Sequence, residues 1–273
     1  NLPGGKGYYE TMSVNKDRAW ISVYVHGQYG FVIDGRPVYP EYNDTVHCSD
    51  KAEPTRGEPL YRGWDFGLTP ACVFAQLNRF GQLIVFDELT SDSMGIDSFA
   101  DEVLAHCMKK WNKKTLGFEP EWLDIGDPAG QQQKSIESDK NERRDVEVLA
   151  GLGIHPKYEY GWGKKDGRTL IHQLLALRTD NTPSVYVDPA GCPWTMQAFL
   201  GRYVYPETRD GKLSEDPNDD EHPFSDVMAA LRYLVVGLHH KLALTRVKAA
   251  SLEPPKPLAH TGYGSVPRRA GRS

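Results

Sequence analysis

The stretch from Tyr61 to Trp111 constrains this 273-residue chain most. Three short apolar runs follow one another there: Tyr61 to Asp65, Ala71 to Leu77 and Gln82 to Leu89. Gly67 and Pro70 punctuate the first junction and Asn78-Arg79-Phe80-Gly81 the second. Connections this short join antiparallel neighbours, so a three-strand meander is expected. Ile96, Phe99, Ala100, Val103, Leu104, Cys107, Met108 and Trp111 then recur at helical spacing, opposite Asp97, Asp101, Glu102 and Lys109. That pattern predicts an amphipathic helix whose apolar stripe faces the core.

Beyond it the elements alternate. Trp122 to Gly126 reads as a short buried strand running into Asp127-Pro128-Ala129-Gly130, and Ile154 to Tyr158 and Ser184 to Val187 as further strands. Helices are expected at Thr169 to Leu177, Thr195 to Leu200 and Ser225 to Leu238. The Asp210-Gly211 pair favours a hairpin turn after Arg202 to Tyr205. Antiparallel strands first, then alternating helices and strands, predict an α/β fold. Its mixed sheet, antiparallel in the first three strands and parallel afterwards, is flanked by helices, an order that fits a ribonuclease-H-like core over residues 51–240.

Residues 1–50 read as an arm or linker, with the Pro-broken run Val38-Tyr39-Pro40-Glu41-Tyr42 near its end. Residues 241–273, rich in Pro and Gly, read as a basic, disordered tail. The first residue is Asn1, so a fragment of a longer protein is expected. No apolar run approaches a membrane span, and no membrane partner is expected. Cys48, Cys72, Cys107 and Cys192 are far apart and form no Cys-x-x-Cys pair. They suggest neither a zinc site nor a disulfide framework, which favours a reducing cytosol. Gly4-Gly5-Lys6-Gly7 lacks the Ser or Thr and the spaced Gly of a phosphate-binding loop.

The net charge of −5 hides an uneven distribution. Glu215, Asp216, Asp219, Asp220 and Glu221 form one acidic loop, whereas the chain after Leu238 carries seven Lys or Arg against the single Glu253. Local potential, not the sum, decides what a cleft attracts.

Three acidic residues are the candidates for the chemistry: Asp65 ending the first strand, Asp127 just after the fourth, and Asp226 at the start of the last helix. On that helix Asp226 shares a face with Ala229, Ala230 and Tyr233, and two small residues let it lie close to a sheet. Clustered carboxylates raise one another's pKa unless a cation sits between them. Oxygen-only donors select hard ions such as Mg²⁺ or Mn²⁺, and two such ions can activate water against a phosphodiester. Each residue also has a structural use: Asp65 and Asp127 can shape turns, and Asp226 can complement a helix N-terminus. Asp124 competes with Asp127 as the ligand from its segment, on the opposite face of the strand. Glu88 is either a fourth ligand or an exposed edge residue. Lys134, Arg143, Arg144, Lys164, Lys165 and Arg168 are candidate DNA contacts, with the Gly-bearing stretch Lys164 to Arg168 the preferred one.

Trp64-Asp65-Phe66-Gly67-Leu68-Thr69-Pro70, Phe86-Asp87-Glu88-Leu89, Gly126-Asp127-Pro128-Ala129-Gly130 and His222-Pro223-Phe224-Ser225-Asp226-Val227-Met228-Ala229-Ala230-Leu231-Arg232-Tyr233 occur in this order. Together they resemble the C-terminal nuclease domain of tailed-bacteriophage terminase large subunits, over roughly 61–238. Residues 20–42 resemble the segment that joins the family's packaging ATPase to its nuclease. The resemblance implies an endonuclease that cuts concatemeric double-stranded viral DNA with two Mg²⁺ or Mn²⁺ ions. It places the family's carboxylates on Asp65, Asp127 and Asp226, and the acidic residue of the third strand on Glu88. It also implies the portal protein and the terminase small subunit as partners, and the host cytoplasm as the location. The ATPase motifs are missing from this chain. His222 stands four residues before Asp226, where many members have a His three before. The competing readings are another ribonuclease-H-like nuclease, such as a junction resolvase or transposase core, and a non-catalytic DNA-binding or assembly module.

Overall fold

The structure, a computed structural model, describes residues 35–49, 52–92, 94–128, 145–176, 182–208 and 210–242. A short strand β1 (Arg36–Pro37) and a one-turn helix α1 (Asp44–His47) come first. The meander follows as β2 (Leu60–Asp65), β3 (Ala71–Leu77) and β4 (Leu83–Thr90), each antiparallel to the next. Its second turn forms as its residues dictate. The side chain of Asn78 accepts hydrogen bonds from the backbone of Phe80 and Gln82, and Gly81 takes a left-handed φ of 73°.

The long helix α2 (Ile96–Lys110) and the short α3 (Lys113–Leu116) lead to β5 (Trp122–Gly126), which pairs parallel with β2. After α4 (Asp145–Gly151) comes α5 (Lys164–Leu175), then β6 (Val185–Val187), parallel to β4. Helix α6 (Pro193–Gln197) runs into a π-helical turn, Ala198–Arg202. The strand β7 (Val204–Tyr205) pairs with β1, and α7 (Phe224–Leu238) closes the described fold.

The five-strand sheet has the order β5-β2-β3-β4-β6. Only Lys157 of the expected strand Ile154 to Tyr158 joins it, through a parallel bridge to Ile125 on the outer side of β5. The mixed sheet flanked by helices is the fold class predicted from sequence. The predicted helix from Thr169 begins earlier, at Lys164. Asp166 accepts from the backbone N–H of Gly163, so the stretch read as a loop is the first turn of α5.

Strand alternation sorts the side chains onto two faces. Leu60, Trp64, Cys72, Phe74 and Phe86 pack with Phe99, Ala100 and Val103 of α2 and Leu149 of α4. Tyr61, Val73, Ala75, Val85 and Ile125 pack with Leu170 and Leu174 of α5 and Val227, Leu231 and Leu234 of α7. Two glycines bring α7 unusually close to the second face. A Cβ on Gly63 would sit 2.7 Å from Leu234 Cβ and 2.8 Å from the Ala230 carbonyl oxygen, and one on Gly237 would sit 2.5 Å from Ile125 Cγ2. The described end of the expected arm is buried in this same core, with Val38 and Tyr39 inside it.

Candidate active site

Asp65 is the last residue of β2, on the face that carries α7. Asp127 follows β5 by one residue and, by alternation from Ile125, lies on that same face. Asp226 is in the first turn of α7, which Gly63 allows to press against β2. The three charges are felt together. Asp65 is pushed up to about 7, first by burial and then by the charges of Asp127 and Asp226, with Arg232 and Lys164 opposing. The sequence-predicted trio is therefore brought to one end of the sheet.

Asp226 is buried, and both of its carboxylate oxygens lie 2.9 Å from Nδ1 of the half-exposed His222. Thr69 Oγ1, from the turn after β2, lies 3.1 Å from that nitrogen. His222 thus ties the helical carboxylate to the turn that follows Asp65. As the side chains stand, no group of three or more His, Cys, Asp or Glu among the described residues is gathered to hold a metal ion. The donor chemistry nonetheless fits a hard divalent cation. The carboxylates supply only oxygen, and burial followed by like charges drives Asp65 toward protonation, a repulsion that a cation between them would offset.

Asp124 and Glu88 are placed elsewhere. Asp124 faces the other side of the sheet, where Oδ1 accepts from Arg62 Nε at 2.7 Å and Oδ2 from Arg62 Nη2 at 2.8 Å. Trp64 Nε1 donates to Oδ1 at 2.8 Å, and both members of the ion pair are buried. A carboxylate saturated in this way is a structural anchor. Glu88 is paired in register with Val73, itself opposite Gly63, so it lies two strands from β2, about 10 Å away. Its carboxylate accepts from the backbone N–H of Trp194 and Thr195 and from Thr195 Oγ1 at the start of α6. Burial drives Glu88 up to about 7 despite those hydrogen bonds.

Among the candidate DNA contacts, Lys134, Arg143 and Arg144 lie outside the described residues. Lys164 and Lys165 are exposed on the first turn of α5, while Arg168 is buried one turn on. Two cations escaped the sequence reading. Arg232 is buried on α7, and its charge reaches Asp65. Arg202 closes the turn after α6 and meets Glu221 at 3.0 Å. For Arg62 a signal was present: a charged residue between Leu60 and Trp64 on a core-facing register demands a buried partner of opposite charge.

No protein-family model matches the sequence, and no curated protein matches it. Solved structures do. The large terminase of a thermophilic bacteriophage matches over 88% of this chain and 54% of its own, at 16% identity and a TM-score of 0.53. The same terminase in complex with ATP-γ-S matches over 86% and 53%, at 17% identity and a TM-score of 0.52. This chain spans about half the length of that terminase and is similar to it in fold. The Mn-bound nuclease domain of the large terminase g2p from bacteriophage SPP1, 18% identical over 66% of this chain and 86% of its own, has a TM-score of 0.43, at which the likeness carries no weight.

Proposed function

We propose that this chain is the nuclease part of a phage terminase large subunit, a metal-dependent endonuclease that cuts concatemeric double-stranded viral DNA during packaging. One observation carries the reading: Asp127, just after β5, and Asp226, at the start of α7, both act on Asp65 at the end of β2. The likeness to the thermophilic phage's large terminase supports the fold on which it rests.

Asp65, Asp127 and Asp226 would hold the proposed pair of Mg²⁺ or Mn²⁺ ions. Bound there, the ions would supply an activated water and would neutralise the departing 3′ oxygen. The protein's own part is to gather the carboxylates, and Asp65, held near 7, must release its proton to serve. Lys164 and Arg232 set positive potential beside the carboxylates, where the backbone of a duplex would approach. We leave Asp124, bonded to Arg62, and Glu88, bonded to the start of α6, out of this proposed ligand set. The same proposal takes residues 51–240 as the nuclease, 1–50 as the link from a motor domain, its end packed into the nuclease core through Val38 and Tyr39, and 241–273 as a basic tail. Packaging in the host cytoplasm, with the portal protein and the small subunit as partners, belongs to the same proposal. No described helix is long and apolar enough to cross a membrane.

The test is cleavage of linear and supercoiled plasmid with Mn²⁺, Mg²⁺ or a chelator. Wild type should cut with either ion and stop with chelator, and Asp65→Asn and Asp226→Asn should each abolish cutting. Full activity in either variant refutes the site. A marked preference for four-way junctions over plain duplex would move the reading to a resolvase.

A further inference from the structure

The acidic loop before α7 does not simply project into solvent. Three of its carboxylates each hold a cation from a neighbouring element. Lys164 Nζ meets Asp219 Oδ2 at 2.6 Å, Arg168 Nη2 meets Asp216 Oδ1 at 3.2 Å, and Arg202 Nη2 meets Glu221 Oε1 at 3.0 Å. The loop is fastened elsewhere too: Tyr203 donates its hydroxyl to Asp219 Oδ1 at 2.9 Å, and the backbone N–H groups of Ser214 and Asn218 donate to the Pro206 and Val204 carbonyls.

The pairing is incomplete at Arg168. Asp216 reaches only Nη2 and is itself largely exposed, whereas Nη1 is buried with no hydrogen-bond partner. A guanidinium is a planar fork suited to two oxygens of one group, and a bare buried N–H carries a desolvation cost. One carboxylate oxygen on one nitrogen is a poor match for this fork. A phosphate, which can bridge both, is a better one. Lys164 also acts on Asp65, so this set of cations reaches the clustered carboxylates at one member.

We infer that residues 214–221 are a removable cover whose carboxylates Asp216, Asp219 and Glu221 occupy the sites of successive DNA phosphates on Arg168, Lys164 and Arg202. The inference rests on the nuclease reading for the identity of the ligand. Exposed ion pairs of this kind are individually weak, so a polyanion can displace them. With the cover down, the positive face beside the site is neutralised and duplex DNA is held off. As the cover lifts, Arg168 becomes accessible and the phosphate track extends to Arg202.

The experiment compares duplex DNA binding, by fluorescence anisotropy in chelator, for the full chain and for Asp216→Asn/Asp219→Asn/Glu221→Gln. A charge-matched control neutralises the exposed Asp92, Asp101 and Glu102, on α2 and just before it. The loop variant should bind about tenfold tighter than wild type, the order expected when three competing surface pairs are removed, and the control should shift by less than about twofold. Adding Lys164→Gln and Arg168→Gln to the loop variant should erase the gain. Asp216→Asn alone, which keeps an acceptor oxygen for Arg168 Nη2 on an exposed side chain, should move binding in the same direction. If wild type cleaves plasmid while the loop variant binds no tighter than wild type or the control, the cover is refuted and the nuclease stands. If the loop variant tightens but wild type cleaves with no divalent ion, the nuclease falls and the cover stands. If neither binds duplex, both fall.

Discussion

Replacing Asp124 and Asp127 separately divides a structural carboxylate from a proposed metal ligand three residues away. Asp124→Ala removes both oxygens that hold Arg62, at 2.7 and 2.8 Å, and the acceptor of the Trp64 indole. The guanidinium would be left between the rings of Trp64 and Trp122, 5.9 and 5.2 Å from their centroids, with Cys107 Sγ at 4.0 Å as its nearest polar contact. Breaking one side of such a buried pair costs about 3–5 kcal/mol. With a urea slope of about 2 kcal/mol per molar, the midpoint should fall by about 2 M. That is a large share of the roughly 5–15 kcal/mol that holds a domain together.

Asp127→Asn works in the opposite sense. It deletes one of the charges that push Asp65 up to about 7, so stability in chelator at pH 7 should stay within about 1 kcal/mol of wild type. The same change should abolish the calorimetric heat of Mn²⁺ binding. Urea denaturation in chelator and titration with Mn²⁺ read the two effects independently. The reasoning is refuted if Asp124→Ala unfolds within about 1 kcal/mol of wild type. It is equally refuted if Mn²⁺ binding survives Asp127→Asn while a folded Asp124→Asn loses it.

Asp65 rises from 3.8 to about 7 on folding, so the folded state holds the proton more tightly. Its contribution to metal-free stability is full below about pH 4 and lost as pH climbs through 7, by at most about 4 kcal/mol. Glu88 shifts in the same direction, so urea melts in chelator at pH 5 and 8 should differ, and Asp65→Asn should remove only its share of the difference. Gly63→Val would drive a side chain into Leu234 and the Ala230 carbonyl, forcing α7 off β2. A loss of about 1–3 kcal/mol by denaturation, together with loss of cleavage, is expected, and full activity would show that the close contact is dispensable. Glu88→Gln should cost about 1–2 kcal/mol through the start of α6 yet leave Mn²⁺ affinity unchanged, whereas lost affinity would restore Glu88 as a ligand.

The meander and its helix were legible because local signals agreed with tertiary need. Asn78 and Gly81 make a turn that needs no help from elsewhere, and the apolar stripe of α2 has one face to bury. The first turn of α5 was not legible. Gly163 and Gly167 look like loop residues, and only the close approach of Arg232, whose Cγ would lie 2.4 Å from a Cβ on Gly167, explains a glycine inside a helix. The strand at Ile154 to Tyr158 reduced to one bridging residue because periodicity gives the tendency to extend, not the length of the neighbour it pairs with. Sequence grouped Asp65, Asp127 and Asp226, whose charges the fold also brings together, but left Asp124 and Glu88 open. Their partners, Arg62 and the backbone of Trp194 and Thr195, come from segments 62 and 106 or more positions away.

What separates the two kinds of aspartate is therefore not burial. Asp124 and Asp226 are about equally hidden. Asp124 meets a permanent countercharge that is hidden as deeply as itself, so its negative charge is cancelled within the fold. Asp226 meets a half-exposed imidazole, and Asp65 meets two further carboxylates, with Lys164 and Arg232 acting on it only through their fields. Strand alternation assigns these opposite fates within one six-residue strand, with Arg62 on one face and Asp65 on the other. A half-buried carboxylate left short of countercharge is a standing cost, and a fold that pairs Asp124 completely has the means to pair Asp65 as well. That it holds Asp65 near 7 instead, beside Asp127, Asp226 and a helix that Gly63 lets press close, is the physical argument for the proposal that this end of the sheet takes a cation from outside.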